Sequence, residues 1–295
     1  MSKTIIVFLI MISFWNCKTK NTDISILKEE IPKNIPLLFK QNIVPTNKLI
    51  HKGILSLDLK EYYYTISDFQ FDNFDVFVIK NNNGTWSKPK KAFFNSEYNE
   101  HGMSFSPDGN TIYFSSTRPT NIKDVANTWH IWKSEKVNGV WEEPTFVDIP
   151  NLRKKLVSHP TITNSGTLYF HSSNLDYTKM DIYHSKKENG NFKNAEKTLA
   201  GIKSNERKCT PYISPNEDYL IYASVNNELD LMITYNDGKG NWINTKKLNK
   251  KINNKGQGNP YVTANNKFLF FTTGNYSAKD WKVKWVNIES EIKNK

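Results

Sequence analysis

Arginine is almost missing from this 295-residue chain, with only Arg118, Arg153 and Arg207, although the formal net charge is +11. Lysine therefore carries the charge, scattered among asparagines as at Lys246, Lys247, Lys250 and Lys251. Reading of bases calls for Arg, Asn or Gln on an element that enters a groove, and no such element is visible. The lysines are read as a solvated, solubilising surface, and no nucleic-acid partner is expected. Cysteine is just as scarce, with Cys17 and Cys209 alone. That excludes a disulfide framework, and Cys209, in a strand region, is read as a small buried hydrophobe without chemistry. No amphipathic stripe of 3.6-residue period runs beyond about three turns. A P-loop, a Gly-x-Gly-x-x-Gly turn and a Gly-x-Ser-x-Gly elbow are all lacking, which removes nucleotide-binding and α/β-hydrolase chemistry.

What the chain has in abundance is aromatic side chains: 17 Phe, 14 Tyr and 8 Trp, 13% of all residues. These are strand formers, and they favour pleated sheet over helix.

The aromatics sit in a repeat of about fifty residues. A short hairpin motif occurs four times, as Asn83-Gly84-Thr85-Trp86, Asn138-Gly139-Val140-Trp141, Asn189-Gly190-Asn191-Phe192 and Gly238-Lys239-Gly240-Asn241-Trp242. Asn-Gly supplies the positive φ angles of a type I′ turn, so each copy is expected to join two antiparallel strands. The aromatic residue that follows is placed to pack between neighbouring sheets. Before each hairpin lies a matching strand that starts at Asp75, His130, Asp181 or Asp230. Further upstream comes a turn and an aromatic strand, with Tyr63, Tyr113, Tyr169, Ile221 and Phe270 at equivalent places. Each unit reads as four antiparallel strands, the make-up of a propeller blade. The fifth unit lacks its last strand. Ile35-Pro36-Leu37-Leu38-Phe39 matches the last strands of other units with its proline in register, so the N-terminal strand is expected to complete the C-terminal blade. The fold class is thus all-β, a five-bladed propeller, with six blades as the alternative count. Closure removes free sheet edges.

The stretch Phe105-Ser106-Pro107-Asp108-Gly109-Asn110-Thr111-Ile112-Tyr113-Phe114, with His130-Ile131-Trp132 and Asp181-Ile182-Tyr183 downstream, resembles the repeat of TolB-type, WD-repeat-like propellers. The resemblance covers residues 33 to 295. It implies a propeller of a kind often secreted or periplasmic, frequently a lipoprotein, and often a binding scaffold. No counterpart of the separate TolB N-terminal domain fits before residue 33, so a Tol–Pal partnership is not carried over.

The N-terminus has a short basic start and an apolar run from Ile5 to Trp15, followed by Cys17. That run is too short for the roughly 20 residues of a spanning helix and reads as a secretory signal. The cysteine behind it resembles the acylated cysteine of bacterial lipoproteins, although Asn16 stands where those usually have Gly, Ala or Ser. Residues 1–16 are read as signal peptide, 17–32 as lipidated cysteine and tether, and 33–295 as one propeller. The expected location is the cell envelope, anchored through Cys17 to the outer membrane on its periplasmic or surface side.

Function is sought at the channel mouth, where non-repeated side chains converge. His51, Glu100, His101, His159, Arg207 and Asn259 are the candidates for ligand binding there. No catalytic residue, metal or cofactor is assigned. Asp58 and Asp108 stand in turns, and the recurring Asp75, Asp181 and Asp230 belong to the scaffold. The reading is a monomeric, non-catalytic scaffold for an envelope protein or glycan. The alternative is a secreted glycosidase-like enzyme, which needs inward carboxylates such as Glu100, Asp68 or Asp176. Three carboxylates within about 10 Å at one mouth would favour the enzyme; a mouth of His, Lys, Asn and aromatics would favour binding.

Overall fold

A computed structural model describes residues 23–45, 47–198, 206–225, 229–275 and 277–293, so the stretch read as signal peptide and Cys17 lie outside the described residues. Five antiparallel sheets form a propeller ring. The inner three strands of each blade are Leu49–Leu55, Glu61–Ser67 and Phe74–Asn82; Glu100–Phe105, Thr111–Ser116 and His130–Val137; Leu156–Ile162, Leu168–Ser173 and Met180–Ser185; Arg207–Ile213, Tyr219–Val225 and Leu229–Asn236; Gln257–Val262, Phe268–Thr273 and Lys282–Asn287. Short outer strands follow in blades 1 to 4. In blade 5 the outer strand is Leu37–Leu38, with Leu37 opposite Trp285 and Leu38 opposite Lys284, so the N-terminus closes the ring as expected.

The apolar core is divided among the seams between blades. Five buried clusters each join two neighbouring sheets: Phe39, Tyr62, Phe270 and Trp285 lie between blades 5 and 1, and Tyr63, Phe94, Phe114 and Trp132 between blades 1 and 2. The aromatics after the hairpins behave as the repeat predicts, since Trp86, Trp141, Phe192 and Trp242 each enter the seam with the preceding blade. In three hairpins both turn residues have positive φ (Asn83 and Gly84, Asn138 and Gly139, Asn189 and Gly190), as a type I′ turn requires. The fourth departs from this. Its turn is longer, with Gly238 and Gly240 separately at positive φ and the Asp237 carboxylate accepting the Lys239 and Asn241 N–H groups.

The recurring aspartates hold blades together. Asp75, Asp181 and Asp230 pair with Lys91, Lys197 and Lys247 of their own outer strands. Asp58 and Asp108 accept from Ser56 and Ser106 and from the N–H groups of Lys60 and Asn110, which fixes the turns ahead of the aromatic strands.

From Asp23 onward the stretch read as tether is docked. Asp23 caps a short 3-10 turn, Ile24–Leu27, and both end residues of that turn are buried in the seam of blades 5 and 1. The apolar pair Ile24 and Leu27 gives this segment a hydrophobic reason to pack, which its polar neighbours mask in the sequence. Among the described residues no helix is long and apolar enough to cross a membrane.

Candidate functional site

The channel is lined by the first strands, and every one of them carries a β-bulge at the same level. The ladders skip between Ile50 and Gly53, His101 and Ser104, Ser158 and Thr161, Cys209 and Tyr212, and Gly258 and Tyr261. A bulge re-aims a side chain and frees backbone groups from the ladder. Here it places Gly102, His159, Thr210 and Asn259 at positive φ, one in each of blades 2 to 5. Left-handed backbone is uncommon for non-glycine residues and uncommon above all for a β-branched threonine, and such positions concentrate at functional sites. Blade 1 is bulged without a left-handed residue and contributes both His51 and Lys52.

In blades 3 to 5 the freed N–H group is taken up by the neighbouring blade. His159 N–H donates to Ser115 Oγ at 2.9 Å, and Thr210 N–H to His171 Nδ1 at 3.4 Å. Ser115 and His171 stand at the same place on their second strands, opposite His101 and Ser158. In blade 4 that place is Ala223, which has no acceptor, and Asn259 N–H turns instead to Thr210 Oγ1 at 3.2 Å. The bulges thus form an inner latch that runs from blade to blade.

A cavity of about 300 Å³ opens at this level, lined by His51, Lys52, Phe71, Phe74, His101, Gly102, His159, Thr210, Asn259 and Trp281 among others. A chain of imidazoles leads from its wall into the blades, with His101 and His159 on the wall and His171 behind them. The rings of His101 and His159 are 4.5 Å apart and those of His159 and His171 4.9 Å, while His101 packs edge-on to Trp129 at 4.0 Å. Ser158 Oγ lies 3.1 Å from His101 Nε2 and 3.0 Å from His159 Nδ1. His51 Nε2 is 2.7 Å from Ser67 Oγ, whose own proton goes to the Asp68 carbonyl, so that imidazole carries its proton on Nε2. Phe71, Phe74 and Trp281 surround His51 at 5.2 to 5.9 Å between ring centres.

Burial keeps these rings neutral. It lowers His51 to about 4 and His171 to about 3, and holds His101 and His159 well below the usual imidazole range. Lys52, only 3% exposed, is pushed down to about 7 by the same desolvation. The Cys209 thiol, at the same mouth, is raised to about 12 and is unreactive as a thiolate. Two buried polar atoms at the cavity lack a hydrogen-bond partner, Asn259 Oδ1 and Trp281 Nε1. Asn259 nonetheless lies near enough to His159 to favour its protonated form slightly.

Of the six sequence candidates, His51, His101, His159 and Asn259 meet at this cavity. Glu100 does not. Neighbouring residues of a strand face opposite sides, so while His101 faces the channel, the Glu100 side chain is fully buried in the blade beside Arg118. Arg207 opens its strand outside the bulge and lines a separate surface pocket with Lys155, Asp181 and Glu206. Asp68 and Asp176 fold their own loops, accepting from Asp72 and Asn73 and from Thr178. A groove between blades 1 and 2 gathers Asp58, Glu61 and Asp108, but the two aspartates hold turns and Glu61 is engaged by Tyr63 and Lys80. Among the described residues no group of three or more His, Cys, Asp or Glu side chains is disposed to hold a metal ion.

Sequence reasoning missed Lys52, Thr210, His171 and the aromatic rim. A signal for the ring existed: His159-Pro160, Thr210-Pro211 and Asn259-Pro260 recur at one repeat position, and proline there cannot donate to a ladder.

No family model and no curated protein sequence matches the chain. Solved structures do match. A glycoside hydrolase superimposes with a TM-score of 0.59 at 9% identity, over 88% of this chain and 92% of that protein. A TolB structure from Agrobacterium tumefaciens gives 0.52 at 13% identity, over 88% and 86%. At such identities the likeness shows the fold alone, a TolB-like β-propeller.

Proposed function

We propose that this chain is a non-catalytic binding propeller of the cell envelope, anchored through Cys17, which takes a glycan unit at the bulged mouth of its channel. The observation that carries this reading is the lining of that mouth: neutral imidazoles, one amide, one lysine and aromatic rings, with no carboxylate among the described residues. Glycosidic hydrolysis by the usual route needs two carboxyl groups across the scissile bond. Recognition needs what is present, an apolar aromatic wall with a few convergent polar groups. At about 300 Å³ the cavity is at the small end of ligand sites, which suits one terminal sugar better than a protein surface. The envelope location draws on the resemblance to TolB-type propellers and on the apolar leader before Cys17.

A glycan microarray with the mature protein, followed by calorimetry on the hits, tests the reading. Binding is expected to weaken at least tenfold in Trp281→Ala and in Asn259→Ala. Absence of any glycan hit, or hits indifferent to both substitutions, refutes it. Release of free sugar from a bound glycoside would establish the enzyme alternative instead. For the anchor, radiolabelled palmitate should enter the wild type and not Cys17→Ala, and a membrane-retained, unlabelled wild type would exclude acylation.

A further inference from the structure

Among the described residues two lysines are buried, and Lys52 stands apart from the other. Lys208 is 6% exposed and is paired with Asp181 at 3.0 Å. Lys52 is 3% exposed, lines the cavity, and has burial as the sole influence on its amine. An unpaired buried ammonium is costly and is driven toward its neutral form unless a counter-charge arrives from outside the chain. The cavity wall offers none among its described residues, and Trp281 Nε1 is a second donor there without a partner. On the acceptor side Asn259 Oδ1 is unpaired, in a side chain 9% exposed. One cation, one spare N–H and one spare carbonyl amount to a site for a single negative charge beside a hydroxyl.

We infer that the ligand is an acidic sugar, a hexuronic acid whose carboxylate pairs with Lys52 while its ring lies along Phe74 and Trp281. This rests on the glycan-binding reading above. A single lysine without arginine matches a monoanion, whereas a phosphate dianion would leave uncompensated charge in a desolvated site. The titratable groups that line the cavity with Lys52 are His51 on its own strand, His101 from blade 2, His159 from blade 3 and Cys209 from blade 4, with His171 packed against His159. All of these stay neutral between pH 6 and 8, the imidazoles because burial lowers them and the thiol because burial raises it. Among the described residues Lys52 is then the one group at the site that titrates in this interval, and anion binding draws a proton onto it.

Calorimetry with D-glucuronate and D-galacturonate, against glucose, galactose and galactose 6-sulfate, is run on the wild type and on Lys52→Met. At pH 6 the uronates should bind the wild type roughly 10- to 100-fold more tightly than the neutral sugars, the span of a charge-assisted hydrogen bond. Lys52→Met should lose that preference, so that uronates and neutral sugars bind it alike. On the wild type, uronate affinity should fall by up to about tenfold per pH unit above 7, with proton uptake seen as a buffer-dependent heat. Equal binding of uronates and neutral sugars, or a preference that survives Lys52→Met, overturns the inference and leaves the glycan reading standing. Tighter binding of the sulfated sugar overturns the carboxylate assignment. If none of these sugars binds while other glycans do, the acidic-sugar inference alone falls; if no glycan of any kind binds, the glycan reading falls with it. The pH profile needs no variant, so the inference stays testable even if Lys52→Met folds poorly.

Discussion

Replacing Arg118 by methionine tests whether Glu100 is a structural residue of the blade rather than a ligand of the channel. The Glu100 side chain is fully buried, and its Oε1 accepts from Arg118 Nη2 at 2.8 Å, Ser96 Oγ at 2.6 Å and Ser116 Oγ at 2.9 Å. Oε2 accepts from Ser96 N–H at 3.2 Å. Arg118 in turn donates to the Phe94 carbonyl and lies over the rings of Phe114 and Trp132, 5.3 and 5.1 Å from their centres. Loss of one partner leaves the other charge buried, and such truncations cost about 3–5 kcal/mol. The two serines still donate to the carboxylate, which favours the lower end. At about 2–4 °C per kcal/mol for a domain of this size, Tm should fall by roughly 6–20 °C. Glu100→Gln keeps the shape and most of the hydrogen bonds, so about 1–3 kcal/mol is expected. The double variant should recover part of the loss, because no lone charge remains. Urea unfolding followed by tryptophan fluorescence supplies the free energies, and ligand titration is run in parallel. A loss below about 1 kcal/mol in Arg118→Met would refute the structural role. So would a Glu100→Gln protein that unfolds normally and no longer binds ligand.

Other consequences follow from the same geometry. Lys52→Met should be more stable than the wild type at pH 7, and the gap should close as pH rises. Between about 7 and 10.5 the unfolded chain holds the Lys52 proton and the folded chain does not, so wild-type stability gains about 1.4 kcal/mol per pH unit from this group; parallel stability curves for the two proteins would show that the amine is not desolvated. His51 has the same sign on the acid side: its folded value near 4 lies below 6.5, so stability falls as pH drops from about 6.5 to 4, and His51→Phe should flatten that limb in urea melts. Gly102→Ala would set a methyl 3.1 Å from the His159 ring and 3.2 Å from Ser115 Oγ at φ +62°, at a cost of about 1–2 kcal/mol and with weaker ligand binding; an unchanged unfolding midpoint would count against the latch. Phe39→Ala empties the seam where Phe39 meets Tyr62, Phe270 and Trp285 at 4.8 to 5.4 Å, and should cost about 3–5 kcal/mol and promote aggregation by light scattering through the reopened edge of blade 5.

The fold was legible because its signals are local and repeated. Asn-Gly turns, the Ser-Pro-Asp-Gly turn at Ser106 and the aromatic strands each encode a two-strand unit, and five copies leave little freedom in the arrangement. Closure by Leu37–Leu38 was legible from the register of Pro36 alone. The docking of Ile24 and Leu27 was not, since a few apolar residues in a short polar stretch are too few to register as a period. The site was half legible. Position along the repeat brought His51, His101, His159 and Asn259 together, but it could not tell which of two successive residues faces the channel. Glu100 and His101 differ by one place and by the whole thickness of a sheet.

The ring of bulges explains why that ambiguity falls where it does. A propeller's ladders are the same in every blade, so natural variation inside them is limited to what packs in the seams. At the bulge the ladder is interrupted, two residues oppose one, and the side chain is released from the pleat. The backbone N–H released with it still needs an acceptor, and Ser115, His171 and Thr210 provide one each from the neighbouring blade. Because these acceptors differ in every case, the latch is held by non-repeated residues, and its members His159, Thr210 and Asn259 border the cavity. Scaffold closure and ligand chemistry therefore overlap at one level of the channel, with His159, Thr210 and Asn259 serving both. A substitution such as Thr210→Val, which removes only the hydroxyl that receives Asn259 N–H, should then lower stability by about 1–3 kcal/mol and weaken ligand binding together. If stability fell while binding stayed intact, latch and site would be separate features that merely share a level.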